Sequence, residues 1–89
     1  MSMANETEIK KQIIAFVIEN FLMGDAASML KDGESFLETG TIDSTGVLEV
    51  VTFLETQFSI TVADKDLVPE NLDSVNNLVK YVLRRKDAA

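Results

Sequence analysis

The sequence predicts an all-α fold: a small four-helix bundle of three main helices and one short helix, with a long loop between the first two main helices. Apolar residues recur at helical spacing in three segments. The one strand-like stretch, "SITV" at Ser59 to Val62, has no second strand to pair with and is interpreted as a connector that buries Ile60 and Val62. With 89 residues, 46% of them apolar, we expect one domain over residues 1–89 and an ordered core over about residues 7–83.

The first helix is predicted from Glu6 to Met23, with Asn5 or Thr7 as its cap and Gly24 after its end. Its apolar positions are Ile9, Ile13, Phe16, Val17 and Phe21. Asp25 to Ile42 mixes polar and apolar residues with Gly33 and Gly40, so it is predicted to be a long loop with a helical turn near Ala26 to Leu30.

The second helix is predicted from about Ser44 to Phe58. Its apolar stripe is Val47, Val50, Val51, Leu54 and Phe58. A short helical turn, capped by Asp64, is expected to run through Leu67 and to stop at Pro69. The last helix begins at Asp73 or Ser74, and its apolar positions are Val75, Leu78, Val79, Val82 and Leu83.

Charge is distributed unevenly along the chain. The net charge is -7, and the span from Asp32 to Asp73 holds ten acids and one base. An acidic centre disfavours nucleic acid and anionic membranes and suits partners with basic docking surfaces, although solubility alone also favours excess acid. The N-terminal "MSMANETEIKKQ" has no apolar segment typical of a signal peptide, and no run approaches the length of a membrane span. We therefore expect a soluble, cytoplasmic protein without stable membrane insertion.

Residue counts argue against autonomous catalysis and against a metal site. With neither His nor Cys, the chain has no histidine-based triad and no thiolate or histidine zinc site. Ser44 lacks an S-x-x-K partner because position 47 is Val, and no phosphate-binding G-x-x-x-x-G-K loop or EF-hand loop is present. The sequence thus predicts a protein that is not an enzyme.

The pair Asp43–Ser44 in "ETGTIDSTGVLE" has two interpretations. In one, either residue simply caps the second helix. In the other, Ser44 is an attachment point: it follows a long loop, stands at the start of a rigid apolar helix, and lies where the helix dipole would stabilise a phosphate ester.

The run "GTIDSTGVLEVVTFLETQFSITV", Gly40 to Val62, resembles the core of an acyl carrier protein, in which a G-x-x-D-S segment precedes the second helix. "ADKDLVPENLDSVNNLVKYV" resembles the short third and the final helix of that family, so the likeness extends from about Thr7 to Leu83. The resemblance implies that Ser44 carries 4'-phosphopantetheine, whose thiol holds acyl or aminoacyl groups as thioesters. It further implies a monomer whose partners are a phosphopantetheinyl transferase with coenzyme A, a loading ligase and acyl-processing enzymes of lipid (fatty acid) or secondary-metabolite synthesis.

Other residues match the family's working surface. Asp43 matches the acid used at the transferase and partner surface, and Glu49 and Glu55 match acids that pair with basic partner residues; Thr52 lies on the same outward face, so all four are candidate partner-binding residues. Val50, Val51 and Leu54 match the core among which a sheltered acyl chain would lie.

Two positions depart from many fatty-acid carriers, which follow the serine with Leu and an acid. Here Thr45 and Gly46 follow, a pattern reminiscent of the D-S-M-G of D-alanyl carrier proteins, which favours a specialised carrier. The alternative from another class is an acidic helical interaction module without a prosthetic group, in which Ser44 has no role beyond capping.

Overall fold

The computed structural model describes residues 5–88, and the all-α prediction is confirmed within them. The helices are α1 (Glu6–Phe21), α2 (Phe36–Thr39), α3 (Gly46–Phe58), α4 (Pro69–Leu72) and α5 (Val75–Ala88), with 3-10 turns at Ala26–Ser28 and Asp64–Asp66. This part of the chain contains no strand. Three long helices were expected and are present, and two short ones accompany them where one was predicted.

The first helix is capped by Asn5, whose Oδ1 accepts a hydrogen bond from Glu8 N at 2.8 Å. It ends two residues before the predicted Met23, because the Ile18 carbonyl accepts from both Leu22 N and Gly24 N and so closes the helix. Met23 and Gly24 then adopt left-handed backbone, with φ of 54° and 82°. For Met23 this conformation is unfavourable, since its Cβ crowds the backbone.

The connection between α1 and α3 contains the predicted turn, at Ala26–Ser28, and also the helix α2, which was not predicted. Ser35 Oγ caps α2 by accepting from Glu38 N at 3.0 Å, and Gly40 ends it in the left-handed conformation, with a φ of 76°. A single helical turn has too few residues to show apolar periodicity, so the sequence pattern could not reveal it.

Two aspartates fasten this connection to the rest of the protein. Asp73 accepts hydrogen bonds from Leu37 N at 2.9 Å and from Ser35 Oγ, and its carbonyl accepts from Phe36 N at 2.9 Å. Asp32 pairs with Lys10 of α1 and accepts through its carbonyl from the backbone of α5. The long segment is therefore ordered by contacts with α1 and the start of α5.

The "SITV" stretch is a connector, as predicted, and it buries Ile60 and Val62. Polar contacts from two helices hold it: Glu55 Oε2 of α3 accepts from Val62 N at 2.9 Å, and Arg85 Nε of α5 donates to the Thr61 carbonyl at 3.1 Å. Lys86 Nζ donates to the Phe58 carbonyl at 3.0 Å, where α3 ends.

The predicted turn ends before Pro69, as expected, since its last residue is Asp66 and its C-cap is Leu67. Pro69 is the first residue of α4, a position where the missing N–H costs nothing because it would lack a helical partner anyway. Asp64 was also expected to cap the preceding turn; it lies inside that turn, and the capping residue is Ala63, which makes no side-chain cap.

The last helix is capped by Ser74, whose Oγ accepts from Asn77 N at 3.1 Å. It packs against α1 and α4. Its one tyrosine, Tyr81, is buried, and its hydroxyl donates to Asp66 Oδ2 at 2.8 Å. Burial, followed by this contact with the Asp66 carboxylate, raises the pKa of Tyr81.

One apolar core joins all five helices and the connector. No buried side-chain nitrogen or oxygen within residues 5–88 lacks a hydrogen-bond partner. The core is made of Ile9, Ile13, Val17, Phe36, Ile42, Val50, Leu54, Phe58, Ile60, Val62, Leu72, Val75, Leu78, Val79, Tyr81 and Val82.

Candidate functional site

The first turn of α3 is capped by Asp43. Asp43 Oδ1 accepts a hydrogen bond from Gly46 N at 2.7 Å, and the Asp43 carbonyl accepts from Val47 N at 3.1 Å. These two contacts are those of an N-cap residue, so Ser44 and Thr45 lie in the turn that leads into the helix. Regular helix begins at Gly46, two residues after the predicted start at Ser44.

Ser44 lies directly after this cap and is exposed. The Ser44 hydroxyl makes no hydrogen bond to any residue between 5 and 88, because Asp43 already occupies the capping position. The two interpretations of the Asp43–Ser44 pair therefore fall on different residues: Asp43 is the cap, and Ser44 presents an accessible hydroxyl at the positive end of the α3 dipole.

An apolar groove with a volume of about 270 Å³ runs beside Ser44. Its walls come from α2, α3 and α4 together with the residues that precede α3 and α4, and Ser44 and Asp73 are its polar members. The lining residues are Phe36, Leu37, Ile42, Ser44, Val47, Leu48, Val50, Leu67, Val68, Pro69, Leu72 and Asp73.

The large apolar side chains that remain exposed are concentrated at this groove. Leu37, Leu48, Leu67 and Val68 are exposed by 41%, 59%, 39% and 37%, and all four line it. Exposed apolar side chains grouped around a concave site mark a place where a ligand or partner binds. The sequence analysis did not predict this groove, although apolar residues outside the three long helices, such as Leu37 and the pair before Pro69, are a signal that could have indicated it.

The candidate partner-binding residues occupy different environments. Asp43, Glu49 and Thr52 are exposed, and Thr52 Oγ1 donates to the Leu48 carbonyl at 3.1 Å. Glu55 is half-buried, and its carboxylate accepts from Val62 N in the connector. The first three are thus on the open surface, whereas Glu55 makes a structural contact.

Glu49 and Thr52 border a shallow depression between α3 and α1. Its other members include exposed Leu48 and half-buried Phe53 of α3 and Phe16 of α1. The rings of Phe16 and Phe53 stack with centroids 4.1 Å apart, so the floor of the depression is rigid and apolar. Of the residues expected in the core behind it, Val50 and Leu54 are buried and Val51 is half-buried.

Two further properties concern the residues that the structure describes. Across residues 5–88, no three Asp, Glu, His or Cys side chains are arranged so that they could hold a metal ion. Over the same residues, every helix is too short or too polar to cross a membrane.

Several curated proteins with similar sequences are D-alanyl carrier proteins. The chain is 30% identical to a D-alanyl carrier protein of Streptococcus suis (strain 05ZYH33) over 73 residues. This aligned region covers 82% of the chain and 90% of the Streptococcus suis protein. It is 28% identical over 81 residues to the D-alanyl carrier protein of Streptococcus sanguinis (strain SK36), covering 91% of this chain and 99% of that protein. The D-alanyl carrier protein of Streptococcus mutans is 25% identical over the same length. No family model matches the chain.

Proposed function

Because the chain belongs to the family of D-alanyl carrier proteins, phosphopantetheine carriers related to the acyl carrier proteins, we propose that it carries aminoacyl groups on an arm attached to Ser44. The observation that carries this proposal is that the Ser44 hydroxyl, beside the Asp43 cap, is exposed and makes no hydrogen bond within residues 5–88. When bound, a 4'-phosphopantetheine arm supplies the thiol that this cysteine-free chain lacks and on which a thioester can form.

The residues around Ser44 fit such a group. Its phosphate would lie at the positive end of the α3 dipole, which favours a negative charge. In the attachment reaction Ser44 Oγ forms a bond to phosphorus, the pyrophosphate bond of coenzyme A breaks, and the adenosine bisphosphate half leaves. The hydroxyl proton would pass to a basic group of the transferase, since the chain has no histidine to accept it.

The apolar groove favours a second candidate cargo, an unbranched acyl group as used in lipid or secondary-metabolite synthesis. An aminoacyl group such as D-alanyl carries a charged ammonium, which gains nothing from apolar walls such as Val50 and Leu67. An alkyl chain would be favoured by about 0.8 kcal/mol for each buried methylene. The two cargoes therefore differ in whether they enter the groove.

The partner enzymes in this proposal are a phosphopantetheinyl transferase and a loading ligase that dock on the exposed surface near Ser44. Asp43, Glu49 and Thr52 supply its polar contacts, and basic side chains on the partners would complement the acidic central span. Glu55 belongs to the same proposed surface from its sequence position, and its contact with Val62 N makes it the least available of the four.

The remaining parts of the proposal concern the chain as a whole. It acts as one carrier domain over residues 1–89, as a monomer, and without catalytic activity of its own. Its place of action is the cytoplasm, where coenzyme A would be available to the transferase.

The direct test is the intact mass of the purified chain after incubation with coenzyme A, magnesium and a broad-specificity phosphopantetheinyl transferase. We expect the gain of one phosphopantetheinyl group, mapped to Ser44. Ser44→Ala should stay unlabelled, while Thr45→Ala, which removes the neighbouring exposed hydroxyl, should be labelled like the wild type. Labelling of Ser44→Ala, or a folded wild type that stays unlabelled beside an active carrier control, would reject the attachment site and favour an acidic interaction module.

The cargo is tested on the labelled protein. Thioesters of D-alanine and of a hexanoyl group would be prepared separately, and backbone amide shifts compared with those of the unloaded form. If the protein carries only aminoacyl groups, loading with D-alanine should leave the amide shifts of groove residues such as Val50 and Leu67 as they are in the unloaded form. Shifts at those residues with the hexanoyl thioester would support the second cargo.

A further inference from the structure

Gly46 is the buried member of the turn that carries Ser44. Ser44 and Thr45 are exposed, whereas Gly46 faces the protein interior. A Cβ placed on Gly46 would lie 2.9 Å from Phe21 Cε1, 3.0 Å from Ile42 Cγ2 and 3.4 Å from Asp43 Oδ1. Carbon atoms in favourable contact are about 3.5–4.0 Å apart. Any side chain at position 46 therefore displaces either its neighbours or the turn itself.

The two neighbouring side chains are an isoleucine in the core and a half-buried phenylalanine. Ile42 is 2% exposed, in the core. Phe21 is the last residue of α1, and its ring makes an edge contact with Phe16 at 5.8 Å between centroids. Phe16 stacks on Phe53 of α3, and Phe53 makes an edge contact with Phe58 at 5.7 Å. The ring that a Cβ would meet thus ends a row of four aromatic rings that joins α1 to α3.

Helix propensity does not account for a glycine at this position. In a helix Gly is less favourable than Ala, because it loses more backbone entropy and leaves the backbone more exposed to water. Nor does Gly46 need left-handed backbone, which among the glycines is found only at Gly24 and Gly40. What the position requires is space for the close approach of α3 to Phe21 and Ile42.

We propose that Gly46 is a positioning residue for the modification of Ser44: its contact with Phe21 and Ile42 sets where the first turn of α3 lies against the end of α1. This inference rests on the proposed function. An added methyl group would move the turn, and Ser44 with it, by several tenths of an ångström or more. A shift on the order of 1 Å away from attack geometry lowers a rate by roughly 100-fold. Glu49 and Thr52 of the proposed docking surface lie beyond the turn that moves, so transferase binding should change little.

The test measures the steady-state kinetics of phosphopantetheine transfer to Gly46→Ala, with the full chain as substrate. We expect kcat to fall roughly 10- to 100-fold with KM within about twofold of the wild type. The matched control is Gly33→Ala, because a Cβ there meets only Asn76 Nδ2 at 3.8 Å. Its kcat and KM should both stay within about twofold of the wild type.

A second pair of variants tests the contact itself. Phe21→Leu removes the ring atom nearest to position 46, so Phe21→Leu with Gly46→Ala should recover most of the kcat lost in Gly46→Ala. If Gly46→Ala fails to fold, the comparison moves to the Phe21→Ala background, where adding Gly46→Ala should change kcat little, because of the two close carbon contacts only the one with Ile42 Cγ2, at 3.0 Å, remains.

The outcomes are separable. An unlabelled wild type would reject the proposed function itself. A labelled wild type with Gly46→Ala at the wild-type rate, a change confined to KM, or no recovery in the double variant would each overturn the positioning role alone.

Discussion

Asp43 and Ser44 are adjacent polar residues with different roles. Their alanine variants should therefore differ in two assays, one that measures the free energy of unfolding and one that measures labelling with phosphopantetheine. Asp43→Ala removes the side-chain oxygen that accepts from Gly46 N at 2.7 Å. Ser44→Ala removes a hydroxyl without a hydrogen-bond partner in residues 5–88. We expect Asp43→Ala to lower the free energy of unfolding and Ser44→Ala to abolish labelling.

The magnitude follows from the cap. Loss of an N-cap oxygen costs about 1 kcal/mol, within a range of about 0.5–2 kcal/mol. Loss of a negative charge at a helix N-terminus adds about 0.3–1 kcal/mol at low salt. Asp43→Asn separates the two terms, because it keeps a capping oxygen and removes the charge. For a domain of this size, 1 kcal/mol corresponds to roughly 4–8 °C in Tm. Ser44→Ala should stay within about 0.5 kcal/mol of the wild type.

The assay is urea unfolding followed by circular dichroism, with the slope against urea checked for each variant so that midpoints can be compared as free energies. Measurements at low and high salt isolate the charge term, since salt screens it. Equal destabilisation by Ser44→Ala and Asp43→Ala would show that the serine shares the cap and would refute the division of roles between the two residues.

Three other perturbations give independent checks. Met23→Gly and Ser59→Gly should each raise the free energy of unfolding, by up to about 1 kcal/mol, because both residues hold left-handed backbone that Gly adopts without strain; a lower Tm for either would contradict this. Tyr81→Phe should flatten the pH dependence of stability above about pH 9, because the raised pKa of Tyr81 makes its contribution complete below the ordinary value near 10 and lost as pH rises through the higher folded value. An unchanged slope in urea melts across that range would count against it. Glu49→Lys should raise the KM of the transferase several-fold at low salt with little change in Tm, whereas equal KM values would exclude Glu49 from the docking surface.

Local signals explain which parts of the fold could be predicted from the sequence. Asn5 and Ser74 cap the first and last helices as their residue type and position suggested, and Gly40 takes a left-handed conformation that glycine adopts readily. In each case the decisive contact is within a few residues along the chain. The prediction that Ser44 is an attachment site stays a prediction, although its exposure beside a capped turn fits it.

The misread elements depend on contacts between distant residues. Helix α2 is a single turn held by Asp73, a partner far along the chain that no pattern around Ser35 identifies. Glu49 and Glu55 look alike as acids on α3, and only the path of the connector brings Val62 N to Glu55. The groove beside Ser44 is assembled from three helices and their flanking residues, so its existence could not be read from any one segment.

The two ends of α3 differ in their contacts with the rest of the protein. At its C-terminal end Lys86 donates to the Phe58 carbonyl, and Glu55 and Arg85 hold the connector that follows. At its N-terminal end the turn is exposed at Ser44 and Thr45, and it contacts the interior through buried Gly46 and half-buried Val47. Because an exposed hydroxyl on a firmly held helix can be modified without cost to the core, the fold can present Ser44 while its stability depends on residues elsewhere. Because of this separation, Ser44→Ala should abolish labelling without unfolding the chain. Gly46 takes part both in the packing of α3 and in the placement of Ser44, so a single methyl group there should lower the rate of phosphopantetheine transfer.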